Sequence, residues 1–308
     1  MRRQFAKKLC EQAQKDSALI LLVGDIGYGV FEEYKSSFPD RYFNVGIAEQ
    51  NSIGLMSGLS KEGFFPIFFT IIPFLIYRPF EFIRNDLLIN ERNGLIVGVG
   101  AGLAYGALGP THHAVEDLAV CRALPSLSVY SPSTIDSMER TIGNVLEKKS
   151  GISYLRLSKR EEKREEFGGS LFRENVQSTG GMHSKSAARL VILSYGDTAL
   201  GILDTLADYV EKDSVIVITL EKIQPLPETA LLYYLSASLK LLIVEEQLNG
   251  SGIYGAICEF LCRNQIYKEI FLLNLGESYV SRVGSSTELL TELSLTGPNL
   301  RKIVEGLL

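Results

Sequence analysis

Short runs of consecutive apolar residues recur along the chain, separated by stretches whose apolar positions return every three to four residues. In the first half the runs are residues 18–23, 42–45, 64–70, 95–99, 127–130 and 153–157. They are too short for helices and too uniformly apolar to lie with one face in water, so each reads as a buried strand. Between them, residues 5–15, 48–60, 74–90, 116–122 and 134–148 carry helical spacing, the third interrupted near its start by Pro79. Strands apolar on both faces and alternating with helices are what a parallel sheet covered on both sides requires. The expected class is therefore α/β and doubly wound, with functional loops at the carboxyl ends of the strands.

The rhythm breaks at residues 159–166, a block of mixed charge, and stays polar and Gly-rich to Lys185. A solvated linker between domains is expected there. Strands are then predicted at 190–194, 215–219, 241–245 and 270–275, and helices at 198–210, 228–235, 253–262 and 287–293. A final helix starts near Pro298 and places Leu300, Ile303, Val304 and Leu307 on one stripe. The expected organisation is a first α/β domain over 1–165, a linker over 166–187 and a smaller α/β domain over 188–308.

Composition removes several function classes. Lys plus Arg is 31 and Asp plus Glu 36, a net charge of −5, which argues against nucleic-acid binding through a broad basic surface. Cys10, Cys121, Cys258 and Cys262 form no paired CxxC pattern, so neither a disulfide framework nor a structural zinc site is expected. The basic start, Met1-Arg2-Arg3, is followed by Gln4, Phe5, Ala6, Lys7 and Lys8 rather than a long apolar stretch. Neither a signal peptide nor a membrane anchor is read, and a soluble cytoplasmic protein is expected.

Candidate chemistry is sparse. Gly24-Asp25-Ile26-Gly27-Tyr28-Gly29 follows a strand but lacks the GxGxxG spacing of a dinucleotide site, and no P-loop or GxSxG motif exists. Glu49 stands at the start of an otherwise small and apolar helix, where unpaired backbone N–H groups favour a carboxylate. That placement suits either a plain helix-terminal charge or a functional acid. His112 and His113 close a Gly-rich loop ahead of Glu116 and Asp117. Adjacent side chains on an extended segment point different ways, so proton transfer or substrate hydrogen bonding fits better than metal chelation; a ring serving a backbone carbonyl is the plainer alternative.

Read together, these stretches resemble the C-terminal half of a transketolase, comprising the pyrimidine-binding and C-terminal domains of thiamine-diphosphate enzymes. The matching segments are Phe38-Pro39-Asp40-Arg41-Tyr42-Phe43-Asn44-Val45-Gly46-Ile47-Ala48-Glu49-Gln50-Asn51, residues 70–84, residues 109–119 (from Gly109-Pro110-Thr111-His112-His113) and Arg122-Ala123-Leu124-Pro125. Weaker matches are Ile223-Gln224-Pro225-Leu226, Val244-Glu245-Glu246 and Gly250-Ser251-Gly252. The β subunits of acetoin and pyruvate dehydrogenases and deoxyxylulose-phosphate synthase share the architecture with a looser resemblance.

The resemblance implies a split enzyme whose other subunit grips the cofactor's diphosphate through Mg²⁺, since no Gly-Asp-Gly followed by the family's Asn is present. It implies an α2β2 assembly with self-dimerisation, to which Gly54, Ser57 and Gly58 on the helix after Glu49 would contribute close contact. Glu49 matches the glutamate that hydrogen-bonds the aminopyrimidine of thiamine diphosphate. Phe74, Ile71 and Arg78 fall with it among the cofactor-binding positions. His112 matches a histidine contacting donor oxygens, and Lys159 stands where the family usually carries a phosphate-reaching arginine, with a solvated linker charge as the equal alternative. The expected reaction is transfer of a two-carbon ketol unit from a ketose to an aldehyde. A decarboxylating 2-oxo-acid enzyme and a noncatalytic structural subunit are the alternatives.

Four positions depart from the pattern. Leu108 replaces an aspartate that reads a donor hydroxyl and cannot accept that bond. Gly100 replaces a phosphate-facing histidine, Gly27 lies in a loop without the usual serine, and Ile71 replaces the first of two aromatics in the ring pocket. The first three thin the polar groups around a sugar phosphate, so a nonstandard sugar or keto substrate is expected.

Overall fold

In the computed structural model, which describes residues 1–158, 188–211, 214–235 and 238–308, the apolar runs of the first half become six strands. They are β1 (Leu19–Val23), β2 (Tyr42–Asn44), β3 (Phe65–Ile71), β4 (Gly94–Val99), β5 (Ser128–Tyr130) and β6 (Ile152–Leu157). All pair in parallel, in the order β2-β1-β3-β4-β6-β5. Alternate residues serve opposite faces. Ile20, Leu22, Phe68, Ile96 and Tyr154 enter one apolar core, and Leu21, Val23, Phe69, Val97 and Leu155 enter the other.

Helices α1 (Arg2–Lys15) and α7 (Ile135–Lys148) cover the second of these faces through Phe5, Leu9, Met138 and Ile142. Thr134 and Ser137 form a reciprocal capping box that fixes where α7 begins. The first face is covered by α3 (Glu49–Lys61), α4 (Ile72–Ile76) and α6 (Asp117–Arg122), through Ile53, Met56, Leu75, Leu118 and Cys121. A short α2 (Glu32–Ser37), not read from the spacing, follows the first glycine loop.

The helix expected over 74–90 is not continuous. It starts earlier, at Ile72, with Pro73 in its first turn, where a missing N–H costs nothing. Pro79 then breaks it, and a short α5 (Phe80–Phe82) leads into a π-helical turn over Ile83–Ile89. Phe74 stays within α4, with Tyr77 and Arg78 directly after it and ahead of the break.

The second half forms β7 (Leu190–Ser194), β8 (Val215–Thr219), β9 (Lys222–Gln224), β10 (Lys240–Val244) and β11 (Glu269–Leu273). Four of them make a parallel sheet in the order β11-β10-β7-β8. Its helices are α8 (Gly196–Glu211), α9 (Glu228–Leu235), α10 (Tyr254–Arg263), α11 (Ser286–Glu292) and α12 (Gly297–Leu307). On α12 Leu300 and Val304 are buried, while Ile303 is exposed.

The two halves are joined by more than chain connectivity. Strand β9 crosses over and pairs antiparallel with β5, at the edge of the first sheet. Val191, Leu193, Leu241 and Ile243 belong to the same apolar core as Ile20 and Phe68. Gln224 donates from Nε2 to the carbonyls of Leu124 and Leu127, at 3.0 and 3.1 Å, tying β9 to the loop before β5. The linker expected over 166–187 and the charge block beginning at Lys159 lie outside the described residues. No helix among the described residues is long and apolar enough to cross a membrane.

Candidate active site

Strands β2, β1, β3 and β4 are neighbours, and the loops leaving their carboxyl ends carry nearly all the residues singled out in the sequence. Glu49 follows β2, Gly27 follows β1, Ile71 ends β3 and residues 72–78 follow it, and residues 100–113 follow β4. Strands β2 and β3 flank β1 on opposite sides, so the strand order reverses there, and the crevice at such a reversal is where ligands bind in folds of this class.

Glu49 is the first helical residue of α3, and Ala48 before it offers no side-chain cap. The free N–H groups of that turn favour an anion. The residue is only 4% exposed, yet it borders an open cleft of about 430 Å³ lined by Ile47, Ala48, Gln50, Asn51 and Arg78. Arg78 donates from Nη1 to both carboxylate oxygens at 3.1 Å. Its backbone carbonyl accepts from Gln50 Nε2 at 3.3 Å, which fixes the arginine against the start of α3.

The contacts continue in one line. The Arg78 guanidinium lies 4.0 Å from the centre of the Phe74 ring, a cation–π contact. The Phe74 ring meets the His112 ring edge to face, with centroids 5.4 Å apart. His112 in turn has Tyr105 at 6.2 Å on another side, and its Nδ1 lies 2.9 Å from the Thr111 hydroxyl. Glu49, Arg78, Phe74 and His112 thus form a continuous wall of carboxylate, cation and aromatic faces. A flat nitrogen heterocycle fits such a donor set, since its edge needs a carboxylate and its face an apolar wall.

Tyr105 carries a role that the sequence reading missed. Gly100 has φ +93°, and a Cβ built on it would stand 2.2 Å from the Tyr105 ring. The tyrosine therefore fills the space that a side chain at position 100 would need. The second half of the chain holds this loop in place. Glu246, 6% exposed, accepts the Leu103 N–H at 2.9 Å and also binds the Thr198 hydroxyl. A Cβ on Gly102 would strike the Glu246 carboxylate at 2.1 Å, and one on Gly106 would come within 2.6 Å of the Gly284 carbonyl. Within the weak Val244-Glu245-Glu246 match, Glu246 thus clamps the second half to this loop.

Beneath the loop lies a buried ion pair. Arg156 Nε donates to Asp117 Oδ2 at 2.7 Å and its Nη2 to Oδ1 at 3.0 Å; the aspartate is fully buried. The Tyr154 hydroxyl donates to the same carboxylate at 2.8 Å. Gln247 Nε2 reaches the Ala114 carbonyl at 3.0 Å from the second half. Glu245, 1% exposed, accepts the Ile253 N–H at 2.7 Å, and its Oε1 has no partner. Burial pushes its carboxyl up to about 7, against the lowering effect of backbone N–H groups. Burial, with a smaller contribution from His112, pushes the His113 imidazole down, and its Nε2 has no hydrogen-bond partner.

The remaining expected positions are distributed around this group. Leu108 is 53% exposed at the end of a 3₁₀ turn in the same loop as His112. Ile71 packs at the carboxyl end of β3 on the α1/α7 side of the sheet. Gly27, with φ +82°, lies against Phe31, and a Cβ there would meet the ring at 3.0 Å. Lys159 lies outside the described residues. Gly54 and Gly58 are exposed on α3, with open space beyond both. Among the described residues no cluster of three or more His, Cys, Asp or Glu side chains could hold a metal ion.

Residues 1–163 match the family described as the transketolase pyrimidine-binding domain. A Methanocaldococcus jannaschii protein assigned as a transketolase C-terminal section is 26% identical over 98% of this chain and 94% of its own length. The 1-deoxy-D-xylulose-5-phosphate synthase of Neisseria gonorrhoeae is 26% identical over 97% of this chain, which spans 46% of that protein. A structure described as a split gene transketolase, an inactive beta4 tetramer, has the same fold. It shares a TM-score of 0.79 over 99% of this chain and 96% of its own, at 24% identity.

Proposed function

The chain belongs to the transketolase pyrimidine-binding domain family, and from that premise we propose that it is the C-terminal-half subunit of a split transketolase dependent on thiamine diphosphate. The observation that carries this reading is the unbroken contact line from Glu49 through Arg78 and Phe74 to His112. Its near end-to-end match with a transketolase C-terminal section supports the same division of labour.

When bound, thiamine diphosphate supplies the nucleophilic carbon that takes up a two-carbon ketol fragment. Glu49, which lines the cleft, would hold a ring proton of the pyrimidine at its carboxylate. Phe74 forms a flat wall that keeps water from the ring and strengthens the polar contacts beside it. Arg78 pairs with both Glu49 oxygens, and with the cofactor held one of those oxygens would be given to the pyrimidine ring instead. In the tautomer whose Nδ1 accepts from the Thr111 hydroxyl, His112 would present an Nε2–H to a substrate carbonyl or hydroxyl oxygen. The diphosphate and its Mg²⁺ are assigned to an N-terminal-half partner, in an α2β2 complex whose like subunits meet through the exposed face of α3. Ile71, Lys159 and Gly27 belong to the cofactor and substrate surround in this reading.

Leu108 and Gly100 direct the substrate away from an ordinary phosphorylated ketose. Leu108 offers no acceptor, and the space beside Gly100 is filled by Tyr105. A nonstandard sugar or keto donor follows. A 2-oxo-acid-decarboxylating ligase is the second reading, favoured by the same exposed leucine.

The test is purification of the chain with its natural partner, followed by assays with thiamine diphosphate and Mg²⁺ on a panel of ketoses and 2-oxo acids. Two-carbon transfer to an aldehyde is expected, along with a loss of about 100-fold or more in turnover for Glu49→Gln. Carbon dioxide release from a 2-oxo acid selects the second reading. Absence of thiamine-dependent carbon–carbon bond formation in the assembled complex overturns both.

A further inference from the structure

A second cavity, of about 320 Å³, lies at the far edge of the first sheet, between α7 and the connection from β8 to β9. None of its lining residues belongs to the Glu49 group. Its volume is at the lower end of the range of small-molecule sites. Three cations line it, Arg140 and Lys148 from α7 and Lys222 from β9, against one carboxylate, Glu221.

Arg140 Nη2 donates to Glu221 Oε1 at 2.9 Å, so that pair is internally neutral. Lys148 and Lys222 are left as the excess positive charge of the cavity. Lys222 is half-buried, and its Nζ stands 5.6 Å from the centre of the Tyr130 ring. Burial, and then the charge of Lys148, push the Lys222 ammonium down from its ordinary value, so the two lysines sense each other across the space. Like charges that converge on one cavity are relieved by an anion bound between them. Ser153 and Thr219, hydroxyl-bearing residues from strands of different sheets, line the same space.

We propose that this cavity is a binding site, separate from the candidate active site, for a small phosphorylated and hydroxyl-bearing metabolite of sugar-phosphate type. The two ammonium groups hold the phosphate, and the hydroxyls pair with hydroxyls of the ligand. Because one wall comes from α7 and the other from the β8–β9 connection, an occupant bridges the two halves of the chain.

The experiment is calorimetric titration of the full chain with glucose 6-phosphate at low salt, with glucose as the uncharged probe. Saturable binding of glucose 6-phosphate and none of glucose is expected. The Lys148→Ala/Lys222→Ala double variant is expected to bind it about tenfold more weakly or worse, and His112→Ala is expected to bind it unchanged. Lys222→Met, which keeps the apolar stem, repeats the test should the double variant fail to fold. No saturable binding up to roughly 10 mM ligand, unchanged affinity in the lysine variants, or loss of binding in His112→Ala overturns the proposal.

Discussion

Arg78 holds Glu49 from the solvent side: one Nη1 stands 3.1 Å from each carboxylate oxygen, with the arginine side chain 44% exposed and the glutamate 5%. The pair is lopsided. The carboxylate is committed to the interior at the start of α3, while the cation sits at the mouth, partly in solvent.

That asymmetry predicts unequal costs. Arg78→Ala leaves a buried carboxylate facing only the N–H groups of α3, and should cost about 1–2 kcal/mol, less than the loss typical of a fully buried pair. Glu49→Gln keeps an acceptor for Arg78 and should cost under about 1 kcal/mol. Urea unfolding midpoints at unchanged slope check the order; a larger loss for Glu49→Gln contradicts it.

The Asp117–Arg156 pair is a different case, because both partners are buried. Asp117→Ala strands a guanidinium in the interior and also frees the Tyr154 hydroxyl. The expected loss is about 3–5 kcal/mol, against a smaller one for Asp117→Asn. Urea unfolding of the two variants side by side measures the difference.

Gly100→Ala meets two obstacles, a positive φ and the Tyr105 ring. It should destabilise by about 2–3 kcal/mol in the natural chain. In a Tyr105→Ala background the steric share disappears and the backbone share, about 1 kcal/mol, remains. A double-mutant cycle on thermal or urea unfolding gives the coupling between the two positions. Strict additivity would show that the ring is not what excludes a side chain there.

Glu245 makes stability depend on pH. Its carboxyl, with an ordinary value of 4.5, is held at about 7 in the fold. Between those values the folded chain keeps a proton that the unfolded chain has released, so the stabilisation is full at low pH and is lost as pH rises through about 7. The share from this residue is at most about 3 kcal/mol. Glu245→Gln should therefore gain on the natural chain between pH 5 and pH 8 in urea unfolding. A constant difference across that window would mean the carboxyl titrates normally.

Much of the fold was legible because it is encoded by local periodicity. The run at 190–194 gave β7 at the same residues, and 228–235 gave α9, since short apolar runs and helical spacing need no knowledge of partners. The misses have specific causes. Strand β9 is three residues long, Lys222–Gln224, too short to show a period, and it exists only because β5 offers an open edge. The helix expected over 74–90 failed at Pro79, where the local rule against a helical interior proline outweighed the apolar spacing.

The sequence by itself determined that this is an α/β chain of transketolase type, with a carboxylate at the start of a helix and a histidine at the end of a Gly-rich loop. Those features depend on residue type and on neighbours a few positions away. Only the tertiary structure decided that Arg78 faces Glu49 across 29 residues, that Tyr105 occupies the space beside Gly100, and that Glu246 reaches Leu103 across 143. Such contacts are set by which loops share one end of the sheet and which faces pack together. They follow from the closing of the whole core, which no local pattern contains.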